Sequence, residues 1–233
     1  MCRTPISLAV NGFLVEGLML VAGVDEAGRG SGIGPLVVAG VLFEETQVPL
    51  LGELGVKDSK RLAPKERERI LKQLEKVAVR QVVFKIPPAA IDKVVFGRVE
   101  GKSLNYLETM VMARVIRELR PDLVYLDPPG AGDQRYVSQI QMVLGFHPKI
   151  ICEAKADAKF PPTSAASILA KVTRDQCVAE LRERFGDFNS GYPSDWKTRR
   201  FLEEYLRNGG EEDFIRYSWK TVRSLDAGVG GHD

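Results

Sequence analysis

Histidine is scarce in this chain: His147 and His232 are the only two. That inventory excludes a histidine-based nucleophilic triad and a histidine-rich zinc site, so any catalysis falls to carboxylates or lysines. Cysteine is nearly absent as well. Cys2, Cys152 and Cys177 are far apart, odd in number and contain no CxxC pair. This excludes a disulfide framework and a zinc knuckle and points to a reducing, cytoplasmic compartment. Cys152 and Cys177 are expected to be small buried apolar residues. No run of ~18 unbroken apolar residues exists, so no membrane partner is expected. The mildly apolar start, Ala9 to Val15, is broken by Asn11 and carries no small-residue cleavage site, so it does not read as a signal peptide. A surplus of one charge is lacking too: 33 Lys and Arg against 31 Asp and Glu leave a net charge of +2. A nucleic-acid partner would therefore have to meet a local basic footprint.

The rest is ordinary globular composition, 44% hydrophobic and 27% charged over 233 residues, enough to bury a core without staples. Val21 to Asp25 reads as a short buried strand, Gly28 to Gly34 as a turn, and Leu36 to Phe43 as the second strand of an antiparallel hairpin. A helix is expected over 64–77, opened by Pro64, and a third strand over Val79 to Ile86, stopped by Pro87-Pro88. Leu104, Leu107, Val111, Val115 and Leu119 are spaced for a helix over 102–119. Strands at Leu123 to Asp127 and Lys149 to Glu153 follow, with helices over 133–144 and from Ser164 to Arg184. The fold class is α/β: a five-stranded mixed sheet flanked by helices, its late strands parallel to an earlier one after right-handed crossovers. From Gly186 the text turns to two helical patterns, 196–207 and 211–224. The division read here is an extension 1–18, a main domain 19–185, a helical appendage 186–225 and a flexible tail 226–233, with little structural consequence expected for the extension.

Four acids stand out: Asp25, Glu26, Asp127 and Asp157. Asp25 and Asp127 end apolar strands, where a carboxylate has no packing reason to be, and sites in such sheets gather at the carboxyl ends of parallel strands. Each has a plain alternative, Asp157 as a helix-start residue and Asp127 before Pro128-Pro129 as a turn former. Together they form an oxygen-only set suited to Mg²⁺ or Mn²⁺, with two ions able to clamp a phosphoryl displacement. Gly28-Arg29-Gly30-Ser31-Gly32-Ile33-Gly34 fits neither GxGxxG nor a P-loop, and a strand follows it where a dinucleotide motif needs a helix. Its glycines read as places where backbone comes close to a ligand.

Val24-Asp25-Glu26-Ala27-Gly28-Arg29-Gly30 resembles the N-terminal signature of type 2 ribonucleases H. So do Lys57-Asp58-Ser59-Lys60, Tyr125-Leu126-Asp127, Lys155-Ala156-Asp157-Ala158, the run Ser164 to Val172, and Ser190-Gly191-Tyr192-Pro193-Ser194-Asp195. The blocks fall in the family's order over about residues 19–224, and the later ones are similar to archaeal members. The resemblance implies a ribonuclease-H-like fold and an endonuclease that cuts RNA paired with DNA, including ribonucleotides embedded in duplex DNA. It implies Asp25, Glu26, Asp127 and Asp157 as catalytic metal-binding carboxylates for Mg²⁺ or Mn²⁺. It also implies that Gly28, Arg29 and Gly30 touch the ribose 2′-hydroxyl, that Tyr192 packs on the sugar at the RNA–DNA junction, and that Lys60, Ser164 and Lys171 lie near the phosphate backbone. Two positions depart from the pattern. Ser31 stands where the family usually has Pro, which is expected to loosen the loop, and Asn189 stands where many members have Gly.

The rival readings are a non-catalytic nucleic-acid-binding domain, another metal nuclease of the fold such as a resolvase, and a nucleotide-binding metabolic enzyme. The full set of acids, the ribose-reading residues and the failed glycine templates weigh against them in turn. Lys57, Lys60 and Arg61, Lys155 and Lys159, and Lys197, Arg199 and Arg200 form local basic clusters, each alternatively a solvated face. Trp196 and Trp219 are expected to be packing residues. A monomer is expected. The tail after Leu225 lacks the glutamine–aliphatic–aromatic motif by which some members bind a sliding clamp.

Overall fold

Two apolar runs flanking a glycine-rich turn found the sheet. A computed structural model describes residues 9–10, 13–14, 18–56, 62–128, 134–210 and 212–229. Within the expected extension, β1 (Ala9–Val10) and β2 (Phe13–Leu14) form a two-residue antiparallel pair; residues 1–8, 11–12 and 15–17 lie outside the described residues. β3 (Leu20–Ala27) and β4 (Leu36–Glu44) make the antiparallel hairpin read from the sequence, with Asp25 opposite Ala39. β3 continues two residues past Asp25. β5 (Arg80–Ile86) joins the free edge of β4 antiparallel, while β6 (Leu123–Leu126) runs parallel to β3 and β7 (Lys149–Cys152) parallel to β6. The order β5-β4-β3-β6-β7 is the expected five-stranded mixed sheet.

β4 is apolar along its length because both its faces are covered. Leu36, Val38 and Leu42 join one core, and Val37, Ala39, Val41 and Phe43 another; burying each of the larger of these side chains contributes ~1.5–3 kcal/mol. The helices in chain order are α1 (Val48–Glu53), α2 (Pro64–Val77), α3 (Pro88–Val95), α4 (Leu104–Leu119), α5 (Gln134–Leu144), α6 (Ala156–Lys159), α7 (Pro161–Phe185), α8 (Trp196–Arg207) and α9 (Lys220–Val229). α4 and α5 cover one face of the sheet, α2 and α7 the other. The Ser103 hydroxyl caps α4, accepting the Tyr106 N–H at 3.2 Å. α7 starts three residues before the expected Ser164: Pro161 and Pro162 open it, since proline lacks only a donor the first turn leaves unused. That first turn lies directly on β3, where a Cβ on Gly23 would stand 2.0 Å from the carbonyl carbon of Pro162.

The second helix of the C-terminal part is displaced from the expected 211–224 to Lys220–Val229. Residues 212–219 instead form an irregular strap along the 28–34 turn. Ile215 makes an antiparallel bridge with Ile33. The Gly34 N–H donates to Phe214 O at 2.8 Å and the Arg216 N–H to Gly32 O at 2.9 Å. Asp92 in α3 accepts the N–H groups of Tyr217 and Ser218, which end the strap and lead into α9. α8 and α9 share a third core with Ile33, Val178, Phe188, Phe214 and Ile215, so the appendage and the turn are packed together. Of the tail expected from Asp226, α9 takes in residues up to Val229, and residues 230–233 lie outside the described residues.

Candidate active site

The two-residue period of β3 sends its adjacent acids to opposite faces. Asp25 turns toward α7, where Ser167 hydrogen-bonds its carboxyl and the Lys171 ammonium lies close; Asp157 also acts on it. Glu26 turns toward Glu108 of α4 and is influenced by Asp127. Asp127 comes out beside Asp25 because Leu126, the residue before it, pairs in register with Val24. Asp157 is buried in the first turn of α6, just after Lys155, which takes a left-handed φ of 59°. Burial pushes the Asp25 carboxyl up to about 6, Ser167 and Lys171 pulling the other way. Burial, then the neighbouring Asp25 and Glu108, raises Glu26 well above the usual carboxylate range.

The acids open into a cleft of about 440 Å³ lined by Asp25, Glu26, Asp127, Ala27, Gly28, Arg29, Gly30, Lys171, Tyr192, Arg67, Arg174 and Asp175. Of the residues singled out from sequence, this brings together three acids, the Gly28-Arg29-Gly30 segment, Lys171 and Tyr192. Asp157 is buried and does not line the cleft, though its charge reaches Asp25. Ser164 is buried in α7 and does not line it either. Lys60 lies outside the described residues, as do Lys57 and Arg61. Lys171 donates to the Ser167 hydroxyl at 2.6 Å.

Several partners went unread in the sequence. Glu108 is wholly buried and pairs with Arg29 at 2.9 Å, while Arg29 also donates to Asn105 at 2.6 Å, so the turn is fastened to α4. Its signal was present: Leu104, Glu108, Met112 and Ile116 fall on one helical face, with a charge in the middle of an apolar stripe. Arg174, Arg67 and Asp175 also line the cleft. Arg174 lies over the Tyr192 ring, 4.6 Å from its centroid. Gly28 has φ +84°, and a Cβ there would meet Arg174 Nε at 2.4 Å, so both conformation and space demand glycine. Around Gly30 nothing stands within 4 Å of a Cβ position, which leaves its backbone open to a ligand. Asn189 holds φ 60°, a left-handed conformation that asparagine tolerates. Trp219 packs as expected, under Arg216, but Trp196 does not: it is 67% exposed beside that turn.

The donor set suits a hard dication in kind, being carboxylate oxygens only. Glu108 Oε1, buried beside the acid pair, finds no hydrogen-bond partner among the described residues. Among those residues no group of three or more His, Cys, Asp or Glu side chains is gathered closely enough to hold an ion as it stands.

A family model described as Ribonuclease HII matches residues 22–222. The Ribonuclease HII of Thermococcus onnurineus (strain NA1) is 44% identical over 211 residues, covering 89% of this chain and 90% of the relative. The chain is similar to the crystal structure of ribonuclease H2 from Pyrococcus horikoshii OT3, with a TM-score of 0.84 and 38% identity over 92% of this chain and 100% of that one. It is also similar to RNase HII of Archaeoglobus fulgidus, solved in complex with PCNA, with a TM-score of 0.79 and 40% identity over 88% and 96% of the two chains.

Proposed function

The chain belongs to the ribonuclease HII family, and on that premise we propose that it cuts on the 5′ side of single ribonucleotides embedded in duplex DNA, as well as within RNA–DNA hybrids. The protein is an endoribonuclease H, a hydrolase acting on RNA–DNA hybrids. The observation that carries the proposed cutting at single ribonucleotides is a single cleft in which the β3 acids meet the Gly28–Gly30 backbone and the Tyr192 ring.

Asp25, Glu26, Asp127 and Asp157 would hold Mg²⁺ or Mn²⁺, two ions in the full arrangement. Bound there, the metal supplies charge to the scissile phosphate and a water of lowered pKa. The chain's own residues choose where the cut falls. Backbone groups of Gly28 and Gly30 meet the ribose 2′-hydroxyl, with Arg29 tied to Glu108 and holding the loop toward α4. Tyr192 packs on the neighbouring sugar, its ring backed by Arg174. Lys171 and Arg67 present positive charge to the backbone phosphates. Lys60 and Ser164 join this set on resemblance alone. The products are 3′-hydroxyl and 5′-phosphate ends.

Incubating a DNA duplex carrying one ribonucleotide with the protein and Mg²⁺, then Mn²⁺, then excess EDTA, tests this. One nick on the 5′ side of the ribonucleotide is expected with a metal and none with EDTA. An intact strand under both metals, with a continuous hybrid still cut, would overturn the proposed cutting at single ribonucleotides.

A further inference from the structure

Ser31 is the position at which the recognition loop departs from the family pattern, and a looser loop was the expectation there. In the structure its side chain has three hydrogen-bond partners. Ser31 is wholly buried, and its hydroxyl lies at the junction of three segments. It accepts from Arg174 Nη2 at 2.7 Å and donates to Ile33 O at 2.6 Å, with Gly191 O a second acceptor in reach at 2.9 Å. Arg174 Nη2 also donates to Ser190 O at 3.0 Å. The Gly191 carbonyl, one residue before Tyr192, takes the N–H groups of Gly32 and Ile33 at 2.9 and 3.1 Å. Arg174 thus touches the Gly28 backbone, the Ser31 hydroxyl, the Ser190 carbonyl and the Tyr192 ring with one planar group.

We propose that Ser31 is a positioning residue for ribonucleotide recognition: through Arg174 its hydroxyl joins the Gly28–Gly30 loop to the Tyr192 turn, so that both sides of the ribose are read by one rigid body. The inference rests on the proposed cutting at single ribonucleotides and deepens it. The physical argument is one of registry. A lone ribonucleotide offers a single 2′-hydroxyl and a single junction sugar, so the loop and the ring must be correct together. A continuous hybrid offers a 2′-hydroxyl at every step, and a small misplacement of one reader against the other is absorbed by binding in another register. Proline at position 31 would stiffen the loop by itself but has no hydroxyl to join it to Arg174. The Ser31 hydroxyl ties together two segments 160 residues apart.

The test compares Ser31→Ala with the unmodified protein on a duplex with one ribonucleotide and on a continuous RNA–DNA hybrid. Loss of the buried hydroxyl is expected to lower kcat/KM on the lone ribonucleotide about tenfold and on the hybrid by less than about threefold. In a Tyr192→Ala background the same substitution is expected to cost nothing further, because the coupled partner is gone. Equal losses on both substrates, or losses that add in the double variant, would overturn the proposal. A measurement without substrate separates it from the proposed function. In Ser31→Ala, hydrogen exchange is expected to accelerate together in peptides covering 28–34 and 188–193, with α2 unchanged. Acceleration in the first peptide alone would overturn the coupling, whatever the protein cuts. Failure of the unmodified protein on the lone ribonucleotide would instead strike the proposed function.

Discussion

At the scale of single residues, the acids divide by face. Asp25 lies on the α7 side with a serine and a lysine to steady it, and Glu26 on the α4 side with further acids. On the proposed function, removing one carboxylate would remove charge where the phosphate's own charge develops, and its neighbours would not replace it. Asp25→Asn and Asp127→Asn are each expected to lower the cleavage rate at least ~100-fold, with far-ultraviolet dichroism unchanged. Near-normal rates at saturating Mg²⁺ would show that these acids are not the catalytic set. Tyr192 is expected to act on selection. On the proposed function, Tyr192→Ala should reduce cutting at a lone ribonucleotide much more than cutting of a continuous hybrid, because its ring would read a junction that a hybrid does not require. Parallel losses in the two assays, or a lower melting temperature, would reduce Tyr192 to a support for the turn between Gly191 and Pro193.

At the scale of elements, the strap over 212–219 makes the turn of the reading loop part of a second layer. Its end depends on Asp92, whose carboxylate accepts Tyr217 N–H at 2.9 Å, Ser218 N–H at 3.0 Å and the Ser218 hydroxyl. Asp92→Ala leaves these donors to water and is expected to cost about 1–2 kcal/mol. The Phe214–Gly34 and Ile215–Ile33 pairings should loosen with it. A urea titration reads the stability; a midpoint equal to the unmodified protein's would show that the strap holds without α3. This element is also where sequence reasoning stopped. α2 was legible to the residue because Pro64 opens it and its apolar positions repeat at helical spacing. The strands were legible because apolar runs ended at acids or prolines. The strap is made by partners distant in sequence, Ile33 and Asp92, so its apolar residues passed for a helical pattern. Pro161-Pro162 passed for a break because a proline pair reads alike before a helix and in its first turn. In the site, carboxylates ending apolar strands announced themselves. Arg174 did not, since nothing in α7 shows that its guanidinium reaches two other segments; and Ser31, read as a loosened position, is hydrogen-bonded between them for the same reason.

At the scale of the whole molecule, the site has a cost that should appear in the melting curve. A buried acid whose carboxyl is raised from 3.8 to about 6 stabilises the fold fully below pH 3.8, where it is protonated folded or unfolded. That contribution is lost as pH climbs through 6, because the folded protein must then carry the charge with its solvation removed. Glu26 is shifted in the same direction, first by burial and then by Asp25. For Asp25 alone the displacement is worth about 3 kcal/mol, or several degrees at ~2–4 °C per kcal/mol for a chain of this size. Other groups titrate too, so the useful quantity is a difference. In EDTA, Asp25→Asn is expected to melt progressively higher than the unmodified protein as pH rises from 4 to 7, since the amide is never charged. On the proposed assignment, Mg²⁺ at pH 7 should then raise the unmodified protein and close the gap, because the ion would bind the folded state through the carboxylate the variant lacks. Differential scanning calorimetry at several pH values, with and without Mg²⁺, measures both. A difference that stays flat with pH would mean Asp25 is already solvated or compensated. Equal stabilisation of both proteins by Mg²⁺ would place the ion away from Asp25 and return the four-acid assignment to question.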